Sequence, residues 1–255
     1  VTVNSKNNPA DIIIKSAIKS KKINSNKTAQ FSADFYSRGI FKVKDMPKKI
    51  LGQEVGDFDG NIDSTRSGII YQSETFSKIK FKKPDQLTEE IIASKIAGDD
   101  NGFSYNTALS TDYDFYENYV NFDINMISPI ADNAFNYYKY KLESTFFDDK
   151  QQLINKIKVI AKRDKEPVFE GYIYLVDDTW AIYAIELDIK GYRMQEPVLE
   201  TMKLTQNFSY NSNTKSWAKN IQTLDFKAGI FGITFNGKFT HVFSNYDFDV
   251  AIDKK

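Results

Sequence analysis

The sequence has 255 residues, of which 41% are hydrophobic and 15% aromatic, so it can bury a core and is not a wholly disordered chain. Basic and acidic residues balance at 34 each, which disfavours nucleic-acid binding because no basic excess is left to neutralise phosphates. The absence of cysteine excludes disulfides, thiolate nucleophiles and cysteine metal sites.

The chain begins with a segment that predicts a helix over residues 9–23. In NNPADIIIKSAIKSKKIN, Asn8 is a suitable N-cap, and Pro9 takes the first helical position, where its missing N–H costs nothing. An apolar stripe at helical spacing follows, formed by Ile13, Ile14, Ala17 and Ile18. We expect this helix to pack against the rest of the protein along that stripe.

Two more helices are predicted in the first half of the chain. Thr88 can cap a helix over residues 85–97, and the glutamates that follow it favour the positive end of the helix dipole. Ser128 can cap a helix over residues 128–138, with Pro129 in its first turn. Together with the first segment, they predict about three helices.

The second half of the chain predicts antiparallel strands between residues 138 and 248, separated by short polar turns. Asn236-Gly237 is a strong two-residue hairpin motif, which predicts a turn between two strands near the C-terminus. Because consecutive strands are joined by short loops and the helices are set apart, the pattern predicts an α+β fold. We expect one domain over residues 1–255.

Few residues suggest catalysis. His241 is the only histidine, and it lies in a predicted strand without a Ser or Cys partner in a recognisable motif, so we interpret it as a polar strand residue. The sequence contains no nucleotide-binding glycine loop and no zinc-protease or serine-hydrolase motif. We therefore expect no enzymatic activity and no cofactor.

An acidic stretch, DFDGNID, is a weak calcium-loop candidate. Its side chains alternate as in an EF-hand loop: Asp57, Asp59, Asn61 and Asp63. The glycine and the final glutamate that the motif requires are replaced by Ile62 and Gly68. The stretch therefore predicts a solvated turn first and a calcium site only second.

The hairpin FEGYIYLVDDTWAIYAIELDIKG, from Phe169 to Gly191, is apolar on both faces, so both faces must be covered. Helices would cover one face, and a loop, a partner or a ligand the other. The sequence leaves open which face is concave. The candidate ligand-lining residues are Phe169, Ile173, Leu175, Trp180, Ile182 and Tyr183.

The order of several segments resembles an uncharacterised family of Bacteroidota outer-membrane proteins. These segments are NPADIIIKSAIK, FSADFYSRG, GIIYQSETFSKIKFKKPDQLTEEIIASKIAG, FYENYVNF, ISPIADNAFNYYKYKLESTFFDD and KIKVIAKRDKEPVFEGYIYLVDDTWAIYAIEL. Members of that family carry a carboxypeptidase-regulatory-like β-sandwich before such a region and a barrel-like region after it. The resemblance covers nearly the whole chain and implies a periplasmic, outer-membrane-associated middle region. The start at Val1 agrees with an excised piece.

The same hairpin also resembles the lipoprotein-carrier fold of the Lol system. That resemblance implies a curved antiparallel sheet, an open half-barrel, with about three helices packed on its concave side. It also implies an apolar concave face that can hold acyl chains, which is an analogy at the level of the fold.

Two functions follow as expectations. In the first, the chain is a non-enzymatic periplasmic domain that binds a lipid, an acyl chain or another apolar ligand. In the second, it is a scaffold that docks an outer-membrane barrel or another envelope protein, and its sheet is filled by its own helices. An open apolar cavity would favour the first, whereas a filled sheet or an external apolar patch would favour the second.

Overall fold

The computed structural model describes residues 8–56, 60–98 and 106–252. Long antiparallel strands dominate, and no helix among the described residues is long and apolar enough to cross a membrane. The elements are α1 (Pro9–Asn26), β1 (Gln30–Lys44), β2 (Lys49–Ile50), β3 (Gln53–Glu54), β4 (Gly68–Lys82), β5 (Gln86–Gly98), β6 (Tyr119–Asn121), β7 (Asn125–Ile127), β8 (Tyr138–Phe147), β9 (Leu153–Ala161), β10 (Glu170–Val176), β11 (Ile182–Lys190), β12 (Leu199–Asn211), β13 (Ser216–Ile230) and β14 (Ile233–Asp247).

The strands pair in the order β5-β4-β1-β14-β13-β12-β11-β10-β9-β8, and β2-β3 and β6-β7 form separate pairs. The chain divides into two compact units. The first unit takes in residues up to 29, 113–189 and 204–220, and the second takes in residues 30–112, 190–203 and 221 onwards. The expectation of one domain over residues 1–255 stays a prediction.

The expected fold class, α+β with about three helices on a curved sheet, is wrong because α1 is the only α-helix among the described residues. The segment 85–97 is strand β5, paired with β4 from Gln86 to Gly98. Its Glu, Ala and Lys content favours a helix, but pairing along a neighbouring strand overrides that weak preference.

The segment 128–138 is also not an α-helix. It forms turns, with one short 3₁₀ turn at Ala134–Asn136, and β8 starts at Tyr138. Ser128 does act as a cap, because its Oγ accepts from the Ile130 N–H at 3.3 Å and donates to the carbonyl of Phe115 at 2.7 Å. The cap stabilises only one turn, since the aromatic residues beyond it join the sheet.

In the first unit, α1 forms where its N-cap and apolar stripe predict it, and it packs on β8. The buried stripe consists of Ala10, Ile13, Ile14 and Ala17. Asn8 Nδ2 donates to the carbonyl of Tyr140 at 2.8 Å, and Asn24 Nδ2 donates to the carbonyl of Thr179 at 2.9 Å. Hydrogen bonds near both ends therefore hold the helix to the unit.

In the second unit, the β13–β14 turn lies at Phe231-Gly232, where φ is +50° and +80°. The prediction of a turn at Asn236-Gly237 is wrong, because both residues lie inside β14. A Cβ atom at Gly237 would lie 2.0 Å from the ring of Phe226. Glycine is therefore required at this position because a neighbouring ring occupies the space of a side chain.

We predict that Gly171→Ala destabilises the protein by at least ~2 kcal/mol more than Gly232→Ala. Gly171 has φ +134°, and a Cβ there would lie 2.2 Å from the carbonyl oxygen of Glu186. Gly232 also has a positive φ, +80°, but a Cβ there has no neighbour within 4 Å. Urea denaturation measures both losses, and equal losses would contradict the proposed close approach of β10 to β11.

Candidate binding surface

The predicted lining residues do not form one wall. Phe169, Ile173, Leu175 and Ile182 are each 0% exposed, so solvent does not reach their side chains. Trp180 is half-buried after the β10–β11 turn. The ligand-lining role of these four buried side chains stays a prediction. A ligand could contact them only if the residues that cover them moved away.

A segment between residues 113 and 138 covers Phe169 and Ile182, and this segment was not identified from the sequence. The ring of Phe115 lies 5.4 Å from that of Phe169, measured between centroids. The Tyr116 hydroxyl accepts from the N–H of Ile182 at 2.9 Å, and burial raises the pKa of Tyr116 well above its ordinary value. A hydrogen bond from the main chain to Tyr116 and the packing of Phe115 against Phe169 thus close this part of the face in the first unit.

The opposite face of the same sheet carries partly exposed aromatic side chains, because adjacent strand residues point to opposite sides. Tyr183 bridges this face: its ring lies 6.2 Å from that of Phe146 and 5.3 Å from that of Trp217. Tyr210 continues the row at 5.4 Å from Trp217. We call this set the aromatic face: Phe146, Tyr172, Tyr174, Tyr183, Phe208, Tyr210 and Trp217.

A lysine and a glutamate lie within the aromatic face. The Nζ of Lys156 is 4.2 Å from the ring centroid of Tyr172 and 5.2 Å from that of Tyr174. The Tyr174 hydroxyl donates to Oε1 of Glu186 at 3.1 Å. Partial burial is the main cause that raises the pKa of Tyr174, so its hydroxyl stays protonated and remains a donor at neutral pH.

Trp217 lies in the middle of the row and is 8% exposed. Its indole Nε1 is buried, and no atom of the described residues accepts a hydrogen bond from it. Lys150 Nζ lies 5.4 Å from the ring centroid of Tyr210 and donates to the carbonyl of the same residue at 3.3 Å. The row therefore presents ring faces with lysine ammonium groups beside them, and it shows no nucleophile with a paired base.

A protein-family model described as a family of unknown function, DUF5686, matches residues 13–246. The chain belongs to the DUF5686 family. No curated protein matches the sequence.

Several solved structures are similar to this DUF5686 chain. A LolA superfamily protein from Nitrosomonas europaea is 10% identical, with a TM-score of 0.32, over 94% of this chain and 95% of that one. A DUF1329 family protein from Desulfovibrio piger is 11% identical, with a TM-score of 0.32, over 97% and 96%. A structure of lipid–protein interactions in lipovitellin has 8% identity and a TM-score of 0.36 over 88% and 26%.

In the second unit of the DUF5686 chain, His241 lies in β14, a strand as predicted, and is 0% exposed. It belongs to a row of directly opposed buried polar residues on adjacent strands, formed by Thr75, Ser37, His241 and Gln222. The imidazole stacks on the ring of Phe35, with centroids 5.8 Å apart. A group with no exposed surface does not meet a substrate, so we interpret this row as structural. This polar row could not be recognised from the sequence, because its residues come together only through the strand register.

The calcium-loop candidate is only partly visible, because Asp57 and Asp59 lie outside the described residues. Oδ1 of Asp63 accepts from the N–H of Thr65 at 2.8 Å and from that of Ser67 at 3.1 Å. Hydrogen bonds, first of all from the Thr65 hydroxyl, lower the pKa of Asp63. The Asp63 carboxylate thus stabilises the turn over residues 63–67 through these hydrogen bonds. Within the described residues, no group of three or more His, Asp or Glu could hold a metal ion.

We predict that the two tryptophans of this DUF5686 chain differ in their effect on stability. Trp217→Ala should destabilise the protein by about 3–5 kcal/mol, because it removes a large buried ring. Trp180→Ala should cost about 1 kcal/mol, because this side chain is only half-buried. Urea denaturation followed by far-UV circular dichroism measures both, and similar losses would contradict the different environments of the two rings.

Proposed function

We propose that this protein is a non-enzymatic binding domain that holds an acyl chain or a similar apolar ligand on its aromatic face. The observation that carries the proposal is the row of rings from Phe146 through Tyr183 and Trp217 to Tyr210, which remains partly open to solvent. Covering such rings removes apolar surface from water, at roughly 25 cal/mol per Å².

The shape and chemistry of the row favour an extended amphipathic ligand. The rings lie side by side across several strands, so a long chain can contact them in sequence. Tyr hydroxyls and the ammonium groups of Lys150 and Lys156 lie beside the rings and can meet a polar head group.

The cellular setting is part of the same proposal. We propose a periplasmic domain associated with the outer membrane in Bacteroidota, and the ordered sequence resemblance supports it. Fractionation of the native host, followed by detection of the chain with an antibody, tests the setting. Recovery in the cytoplasmic fraction would contradict it.

We predict that a brominated fatty acid quenches the fluorescence of Trp217. The chain has 2 tryptophans, so Trp180→Phe leaves Trp217 as the single reporter. Bromine quenches only at short range, so quenching by the brominated acid and not by its unbrominated counterpart places the acyl chain beside the aromatic face. Titration of the Trp180→Phe protein with both acids is the measurement.

Two variants of the reporter protein sharpen this test. Tyr183→Ser removes the ring between Phe146 and Trp217 and should raise the Kd by roughly tenfold. Phe147→Ser is the matched control, because this aromatic residue at the end of β8 adjoins Phe146, is 63% exposed, and does not belong to the aromatic face. Absent quenching, or equal effects of both variants, would contradict the proposal.

A second candidate function is a scaffold that docks an outer-membrane barrel or another envelope protein. The closed face of the first unit favours it, because its own residues 113–138 fill the space in front of Phe169 and Ile182. The fluorescence titration separates the two candidates, since a scaffold of this kind binds no fatty acid at the aromatic face.

A further inference from the structure

Strand β5, in the second unit, is an exposed edge. It pairs with β4 from Gln86 to Gly98, and within the described part of the chain no strand pairs with its other side. Ile91, Ile92 and Ile96 are 56%, 51% and 46% exposed. A long edge strand with exposed apolar side chains and no proline favours pairing with another strand.

Charged residues cross the sheet towards this edge in two rows. In the first row, Arg38 on β1 lies opposite Glu74 on β4, and Glu74 lies opposite Lys95 on β5. The Nε of Arg38 is 3.6 Å from Oε1 of Glu74. The row alternates in sign and ends at the edge with a positive charge.

The second row has the opposite order of charges. Asp34 on β1 lies opposite Lys78 on β4, and Lys78 lies opposite Glu90 on β5. This row also alternates in sign, and it ends at the edge with a negative charge. A strand that presented a glutamate to Lys95 and a lysine to Glu90 would extend both rows.

A bulge places both terminal charges on one face of the sheet. Residues five apart in a regular strand point to opposite faces. The register shifts between Phe76 and Ser77, which pair with Ala93 and Ile91, so Ile92 is an extra residue. Glu90 and Lys95 consequently share the face that carries Lys78 and Glu74.

We propose that β5 pairs with β5 of a second copy of this chain, antiparallel, in a two-fold symmetric dimer. The register that places Glu90 opposite Lys95 of the partner copy forms this pair twice, because the interface is isologous. Each combined row then alternates in sign from one sheet into the other. The same register places Ile91 opposite Ser94 and Ile92 opposite Ala93, which removes part of the surface of these two isoleucines from water. A register centred on Lys95 would oppose like charges.

The test is sedimentation velocity of the full chain over a range of concentrations, with charge reversals at the edge. The wild-type chain should form a dimer. Lys95→Glu makes both charged positions on this face of the edge acidic, and Glu90→Lys makes both basic, so each variant alone should show a Kd raised at least about tenfold. Lys203→Glu, at an exposed position, changes the net charge as Lys95→Glu does, so it is the control and should leave the Kd unchanged.

The two single variants provide a further measurement when they are mixed. An equimolar mixture should form a heterodimer, because each glutamate of one variant then meets a lysine of the other. This result also shows that both variants are folded. A chain that remains monomeric at all concentrations overturns the proposal. The partner of β5 would then be a strand of another protein. A dimer that resists both reversals, or a mixture that stays monomeric, also overturns it.

Discussion

The pairing of long antiparallel strands is the constraint on which the other features of this protein depend. β1 is paired along its length with β4 on one side and with β14 on the other, so its register is set from both sides. A shift by one residue would move every side chain to the opposite face. The register therefore decides which residues meet: it aligns the polar row at Ser37 and the charged rows that start at Asp34 and Arg38.

The first unit shows how one sheet can carry two different apolar faces. The face of Ile173 and Leu175 is closed by the protein's own residues and contributes to stability. The face of Tyr172 and Tyr174 has polar groups at the ring edges, so it tolerates water without losing its affinity for apolar surface. Tyrosine suits such a surface because its ring buries well while its hydroxyl keeps a hydrogen-bond partner, as Tyr174 does with Glu186.

The sequence predicts those parts of the fold that depend on local chemistry. The cap at Asn8 and the stripe through Ile14 predict α1, and the alternation in the β10–β11 hairpin predicts its two apolar faces. The helix predicted at residues 85–97 fails because local preference and strand pairing conflict there. The sequence predicts only the hairpin residues of the aromatic face. Trp217 and Tyr210 are distant from Tyr183 in sequence, and the order of the strands brings the three residues together.

The two terminal strands of the sheet order differ in how their edges are protected. β8 has α1 packed on it, and the Asn8 side chain donates to its Tyr140 carbonyl, so part of this edge is already covered. β5 carries a bulge and, on one face, the charges of Glu90 and Lys95, which are features that usually discourage pairing. Here the bulge aligns Glu90 with Lys95, and the two charges are of opposite sign. An edge that repels most strands can still accept its own copy, because only a strand with the same spacing and the opposite direction matches both charges.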